Sequence, residues 1–175
     1  METKDLMKKA TMFHGHLCPG VAIGVLAAKI FLKYGFEHSP DEELVAVVET
    51  NNCSVDALQA ILSTTYGKGN LIHHDYGKNN YTVYSRKKQK AIKLSLKPSG
   101  LEDKKLSRDE KIQKLLSLEP EQIFTIREVE YDPPSMATIE DSVPCEVCGE
   151  LTMSSRIMNY QNSNMCIPCY KQFKK

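Results

Sequence analysis

Nothing in the 175-residue chain stays apolar long enough to cross a bilayer. The longest apolar run, VAIGVLAAKIFL, is broken by Lys29 and falls short of the roughly 18 residues that a membrane helix needs. The opening residues, METKDLMKKA, mix acid and base before any apolar stretch, unlike a secretory leader, so a cytoplasmic chain is expected. Net charge is also nearly absent, at +1 from 23 basic and 22 acidic residues, so no global field steers the molecule toward nucleic acid. Internal repeats and low-complexity tracts are missing. What is left is an ordinary globular composition, 41% hydrophobic and 26% charged.

The even charge total hides one basic window. Residues 86–114 carry eleven Lys/Arg against four Asp/Glu. No aromatics interleave with SRKKQK or LEDKKLSRDEK to stack on bases, so the window reads as a solvated hairpin turn and an exposed helix face. Nucleic acid is not an expected partner.

The pattern of elements predicts an α+β fold, with helices on a mostly antiparallel sheet and a small four-cysteine unit at the end. Residues 2–12 read as a helix. PGVAIGVLAAKIFLKYGF reads as a second, with Pro19 at its first position and Gly35 as its C-terminal cap. That helix is apolar nearly all round and should be buried; covering every side of it would draw on a partner subunit, so a homodimer is expected. ELVAVVET reads as a central strand. NCSVDALQAILSTTY reads as a helix capped by Asn52 or Ser54. LIHHDY, YTVYSR and AIKLSLKP then alternate as strands of an antiparallel meander, and only one of His73 and His74 can face inward. SRDEKIQKLLSL opens with Ser107 and Glu110 at capping-box spacing, and IFTIREVEY returns as a strand. The core domain is expected over 1–135, a polar linker over 136–144 and a zinc-binding domain over 145–175.

In that last segment Cys145 and Cys148 are two residues apart, as are Cys166 and Cys169, with 17 residues between the pairs. This is the spacing of a closed tetrahedral zinc site, and a unit with so few large apolar side chains needs the metal in order to fold. Arg156, Asn159, Tyr160 and Gln161 between the pairs offer hydrogen bonds without a basic stripe, which favours contact with protein over nucleic acid.

A second cluster lies near the start, in FHGHLCPG. If residues 13–18 are extended, His14, His16 and Cys18 point to one side. Cys18 precedes a proline at a helix entrance, where the dipole favours thiolate. Cys53 occupies the corresponding place at the next helix, so the four make a nitrogen–sulfur set suited to a second transition metal, with Asp56 able to orient a histidine. Gly67, Lys68, Gly69 and Asn70 form a glycine loop suited to an anionic group, too short for a nucleotide P-loop.

FHGHLCPG with AIG behind it, NNCSVDALQ, TYGKGNL and DYGK together resemble the family named for the E subunit of formylmethanofuran dehydrogenase. The end, CEVCGE to CIPCY, resembles the zinc-finger tail that many members carry. The resemblance implies a dimerising α+β core with a cleft lined by His14, His16, Cys18 and Cys53, and a C-terminal zinc unit. The family's name attaches to an enzyme system that reduces carbon dioxide onto methanofuran with a molybdenum or tungsten pterin, which this chain is too short to house. The expected role is a metal-binding accessory subunit or small metal-dependent enzyme of one-carbon or molybdopterin-linked metabolism, beside larger redox-enzyme subunits and with a small or anionic ligand in the cleft. Two alternatives stay open: an adaptor that docks through its zinc finger, or a thiol redox protein using Cys18 and Cys53.

Overall fold

The computed structural model describes residues 2–98 and 106–174, in two compact units, 1–135 and 136–175. Residues 99–105 of the basic window lie outside the described residues. Among the described residues, no helix is long and apolar enough to cross a membrane.

The first unit is α+β. Helix α1 (Thr3–His14) carries Leu6, Ala10 and His14 four residues apart on one row, and Leu6 and Ala10 are fully buried. Gly15, at φ +89°, ends the helix by donating its N–H to Thr11. Helix α2 (Pro19–Lys33) starts where Cys18 Sγ accepts the Val21 N–H and Pro19 takes the first turn. It stops in a Schellman turn: Gly35, at φ +74°, donates to Leu32 and Phe36 donates to Phe31. Strand β1 (Leu44–Val48), helix α3 (Ser54–Leu62), and strands β2 (Leu71–His73), β3 (Asn80–Ser85) and β4 (Lys90–Leu96) follow. Helices α4 (Arg108–Ser117) and α5 (Pro120–Ile123) and strand β5 (Phe124–Val129) complete the unit, with α4 opened by the reciprocal Ser107–Glu110 capping box.

The sheet runs β2-β1-β3-β4-β5 and is antiparallel except for the β1–β2 pair. This corrects the expected meander: β2 does not pair with β3 but lies at the edge, parallel to β1. A parallel neighbour needs a crossover, and α3 with its following loop supplies it. Leu44, Ala46 and Val48 line up with Val83 and Tyr81 and with Ile92 and Leu94, forming the face that packs on the helices. Val21, Ala22, Val25, Ala27, Ala28 and Phe31 of α2 have no exposed surface within this single chain.

The second unit consists of two hairpins and a helix: β6 (Ser142–Pro144) with β7 (Leu151–Met153), β8 (Ile157–Tyr160) with β9 (Ser163–Cys166), and α6 (Ile167–Phe173). Strand β6 forms from residues whose composition reads as linker. Gln161 and Asn162, both at positive φ, make the tight turn between β8 and β9.

Candidate metal centres and cleft

The histidine–cysteine cluster is assembled by the end of α1, the start of α2 and the turn between them rather than by one extended stretch. His14 is the last residue of α1, so residues 13–14 are helical, and the left-handed Gly15 turns the chain back. The outcome is still convergence: one ligand atom from each of His14, His16 and Cys18 lies within 4.8 Å of the other two. The His14 and His16 rings are 4.4 Å apart, centroid to centroid. Arg108 of α4 donates to the carbonyl of Leu17, which lies between His16 and Cys18.

His14 is oriented from α3. Its Nδ1 is 2.7 Å from Asp56 Oδ2, while Gln59 Nε2 donates to Asp56 Oδ1 at 3.1 Å. With Nδ1 donating to the carboxylate, Nε2 carries the lone pair. That atom is buried and has no hydrogen-bond partner among the described residues, a costly arrangement for a polar atom unless a ligand completes it. A carboxylate-held imidazole beside a second imidazole and a helix-capping thiol fits a transition metal.

Cys53 does not belong to this three-donor set. It stands beside Cys18, because α2 and α3 approach each other across glycines. A Cβ on Gly20 would lie 3.0 Å from Cys53 Cβ and 3.7 Å from Cys18 Sγ. Burial pushes the Cys53 thiol up, and the neighbouring Cys18 adds to the shift. The α3 entrance is held by a chain of side chains. Asn52 Oδ1 accepts the Ser54 N–H at 3.0 Å and the Ser54 hydroxyl, whose oxygen is 2.6 Å from the buried Tyr81 hydroxyl. Burial pushes Tyr81 up to about 12, so it stays protonated and can serve as donor.

His14, Asn52, Cys53, Asp56 and Gln59 border a cleft of about 400 Å³ at the carboxyl ends of the parallel strands β1 and β2. Its floor is Val48, Val55 and Leu71, and its wall carries Thr50, Asn51, Asp56 and His73. His73 is the histidine of its strand that faces this site, sharing the orientation of Leu71. His74 lies past the strand end, with its N–H on Val48 and its ring near Tyr76. Strand alternation alone could not choose between the two. Gln59 carried no signal, because its role depends on Asp56 already holding His14.

The loop Gly67–Lys68–Gly69–Asn70 has a different geometry from an anion cradle. Lys68 Nζ donates to the carbonyls of Ser39 (2.8 Å), Pro40 (3.3 Å) and Asp41 (2.6 Å). Asn70 donates to Leu44 and accepts the Thr65 N–H, and the Gly69 N–H is taken by Tyr66. The loop clamps residues 39–44, and the lysine hydrogens go to carbonyls rather than to a ligand.

In the second unit, ligand atoms of Cys145, Cys148, Cys166 and Cys169 lie within 4.8 Å of one another, and Cys148 and Cys166 are 3.9 Å apart, sulfur to sulfur. Gly149, at φ +77°, closes the first knuckle by donating to the Cys145 carbonyl at 2.8 Å. The backbone N–H groups of Cys148 and Cys166 bring the Cys145 thiol down to about 6, while the adjacent Cys166 thiol and burial push Cys169 up to about 12. Four sulfurs this close cannot all ionise alone, and a bound cation removes the conflict. The donor set fits a metal. Of the polar residues between the pairs, Asn159 bonds Asn164 and Tyr160 packs edge-on against Tyr170, so both are engaged within the unit.

The family described as "FmdE, Molybdenum formylmethanofuran dehydrogenase operon" matches residues 13–125. A protein of Archaeoglobus fulgidus named "Probable S-adenosyl-L-methionine-binding protein" is 33% identical over 195 aligned positions, which cover 94% of this chain and 52% of that protein. The chain thus spans about half the length of this relative. The crystal structure of a tungsten formylmethanofuran dehydrogenase FmdE-like protein from Syntrophus aciditrophicus superposes with a TM-score of 0.73 at 21% identity, covering 98% of this chain and 94% of that one. That likeness shows the shared fold.

Proposed function

The chain belongs to the FmdE family, and on that premise we propose that it is a metal-binding accessory protein of one-carbon metabolism whose working site is the cluster of His14, His16 and Cys18 with the cleft that His14 lines. The observation that carries this reading is the buried Nε2 of His14, without a partner among the described residues, with its Nδ1 held by Asp56. The His14 and His16 imidazoles and the Cys18 sulfur would hold the metal beside the cleft that His14 lines. A metal so placed supplies Lewis acidity to a carbonyl or a bound water. The chain's own residues do the rest: Asp56 fixes the His14 tautomer, Gln59 fixes Asp56, and the apolar floor of Val48, Val55 and Leu71 excludes water beneath a ligand. The four-cysteine unit holds a structural zinc and docks a larger protein. Contact with a second copy is supported by Met12, Phe13 and Leu17, which are exposed at the end of α1 next to the site.

Elemental analysis of the intact protein tests this reading. Wild type should carry about two metal equivalents, one in each cysteine-bearing site, while His14→Ala and Cys18→Ser should each carry about one with the fold unchanged. Equal metal content in all three proteins would overturn it.

A second reading, binding of S-adenosyl-L-methionine, follows the name of the Archaeoglobus fulgidus relative. The cleft favours it over an anionic ligand, since its wall holds the Asp56 carboxylate, Asn51, Thr50 and the exposed Tyr66 ring, and among the described residues no lysine or arginine lines it. Calorimetric titration with S-adenosyl-L-methionine separates the two readings. Heat that persists in Cys18→Ser would mark a ligand site independent of the metal.

A further inference from the structure

Cys18 stands in two relations at once. Its sulfur is one of the three donors that converge with His14 and His16, and it is also the neighbour of Cys53 across Gly20. Both cysteines are free thiols, and Cys53 lies outside the donor set. We propose that Cys18 and Cys53 form a reversible disulfide that competes with the core metal for the Cys18 sulfur, so that the oxidation state of the pair sets whether the site can be loaded. This rests on the metal reading above.

The geometry supports each part. Cys53 lines the cleft and is half-buried, within reach of a small oxidant, whereas Cys18 is buried behind it. Cys18 caps α2, its sulfur accepting the Val21 N–H at 3.4 Å, which fixes the sulfur at the helix entrance beside Cys53. Residue 20 is glycine where any side chain would enter the space between the two cysteines. The oxidant class is a low-molecular-weight disulfide. The Cys53 thiolate attacks one of its sulfurs, forming a mixed disulfide and releasing one thiolate. The Cys18 thiolate then attacks the Cys53 sulfur, the second small thiolate leaves, and the Cys18–Cys53 bond forms. Two protein thiols have lost two electrons and two protons, and one small disulfide has become two thiols. A disulfide sulfur has no thiolate charge to offer a metal, and a metal on Cys18 occupies the lone pair that the second attack needs.

The test uses the full chain, zinc-loaded or stripped of zinc, incubated with excess oxidised glutathione. Peptide mapping follows the Cys18–Cys53 cross-link, and elemental analysis follows zinc. His16→Ala, carrying the tail zinc alone, gives the baseline for zinc lost from the four-cysteine unit. The stripped protein should cross-link at least about tenfold faster than the loaded one, and cross-linked protein should lack one equivalent of zinc until dithiothreitol restores it. Cys53→Ser should hold core zinc at wild-type stoichiometry and keep it under oxidant. Loss of core zinc from Cys53→Ser under reducing conditions would make Cys53 a ligand and overturn the competition. Equal cross-linking rates with and without zinc, or no cross-link at all, would do the same while leaving the metal site standing. A wild type that holds tail zinc only, yet cross-links, would sink the metal reading itself and the competition with it.

Discussion

A methyl group at residue 24 would have nowhere to go. Built on Gly24, it would sit 2.2 Å from the Ser54 carbonyl oxygen and 2.8 Å from Ala57 Cβ, in the contact between α2 and α3. Alanine normally gains about 1 kcal/mol over glycine inside a helix. Here the obstacle is backbone, which cannot swing aside as a side-chain tip would, and overpacking of this kind costs about 1–3 kcal/mol. The clash should win. Gly24→Ala is expected to lower the denaturant midpoint at unchanged slope, by an amount equivalent to about 1–2 kcal/mol. Gly20 is the milder case, since its imagined Cβ meets mainly side-chain atoms, at 3.0 Å and beyond. The two glycines, four residues apart on one face of α2, are why Cys18 and the start of α3 meet at all. A gain in stability for Gly24→Ala would mean that the helices are farther apart than this packing requires.

Three strands are tied together by one carboxylate. Glu49, just past β1, accepts from Asn80 of β3 at 2.8 Å and from Lys93 of β4 at 2.6 Å. Burial alone would raise its carboxyl, but Lys93 and Asn80 outweigh burial and hold it below the ordinary 4.5. A carboxyl lowered in this way adds stability above its unfolded value and loses it as pH falls through the folded one. Glu49→Gln should therefore cost about 1–2 kcal/mol at neutral pH, discounted for the partly exposed lysine, and the gap from wild type should close as pH drops below 4.5. Thermal unfolding of both proteins between pH 7 and pH 3 reads this; a constant gap would assign the cost to packing instead. Nothing local announces such a network, and the same is true of the strand order. The α2 boundaries were legible because Pro19 and Gly35 act on their own turns, as was the Ser107–Glu110 cap. The place of β2 was not, because its parallel pairing with β1 depends on where α3 returns the chain. The convergence of His14, His16 and Cys18 was legible in their density, although its route is a helix end rather than a strand. The role of Lys68 was hidden, since the carbonyls it holds lie 27–29 residues away in sequence.

At the scale of the whole molecule, the two units draw their stability from different sources. The first buries a continuous core from Leu6 to Phe124, including nearly the whole circumference of α2. In the second, the buried cluster is Cys145, Met165, Cys166 and Cys169 with Tyr160 and Tyr170 against it, so three of its four buried members are cysteines of the donor set. A unit of this size without a larger apolar core is expected to fold on a metal held by its four cysteines, since apparent binding energies of about 10–16 kcal/mol for such sites far exceed what one methionine and two tyrosines supply. Removing the metal should therefore act on the second unit alone. Hydrogen exchange read by mass spectrometry on the full chain, before and after a zinc chelator, separates the units peptide by peptide. Amides of residues 145–170 should lose protection, while those of β1, β3 and α2 keep theirs, and added zinc should restore the first set. The Cys148→Ser variant should show the unprotected pattern without chelator, since three thiolates leave the coordination shell open. Protection that survives chelation in residues 145–170 would mean that the hairpins and α6 fold without a metal, and the four cysteines would then need another explanation.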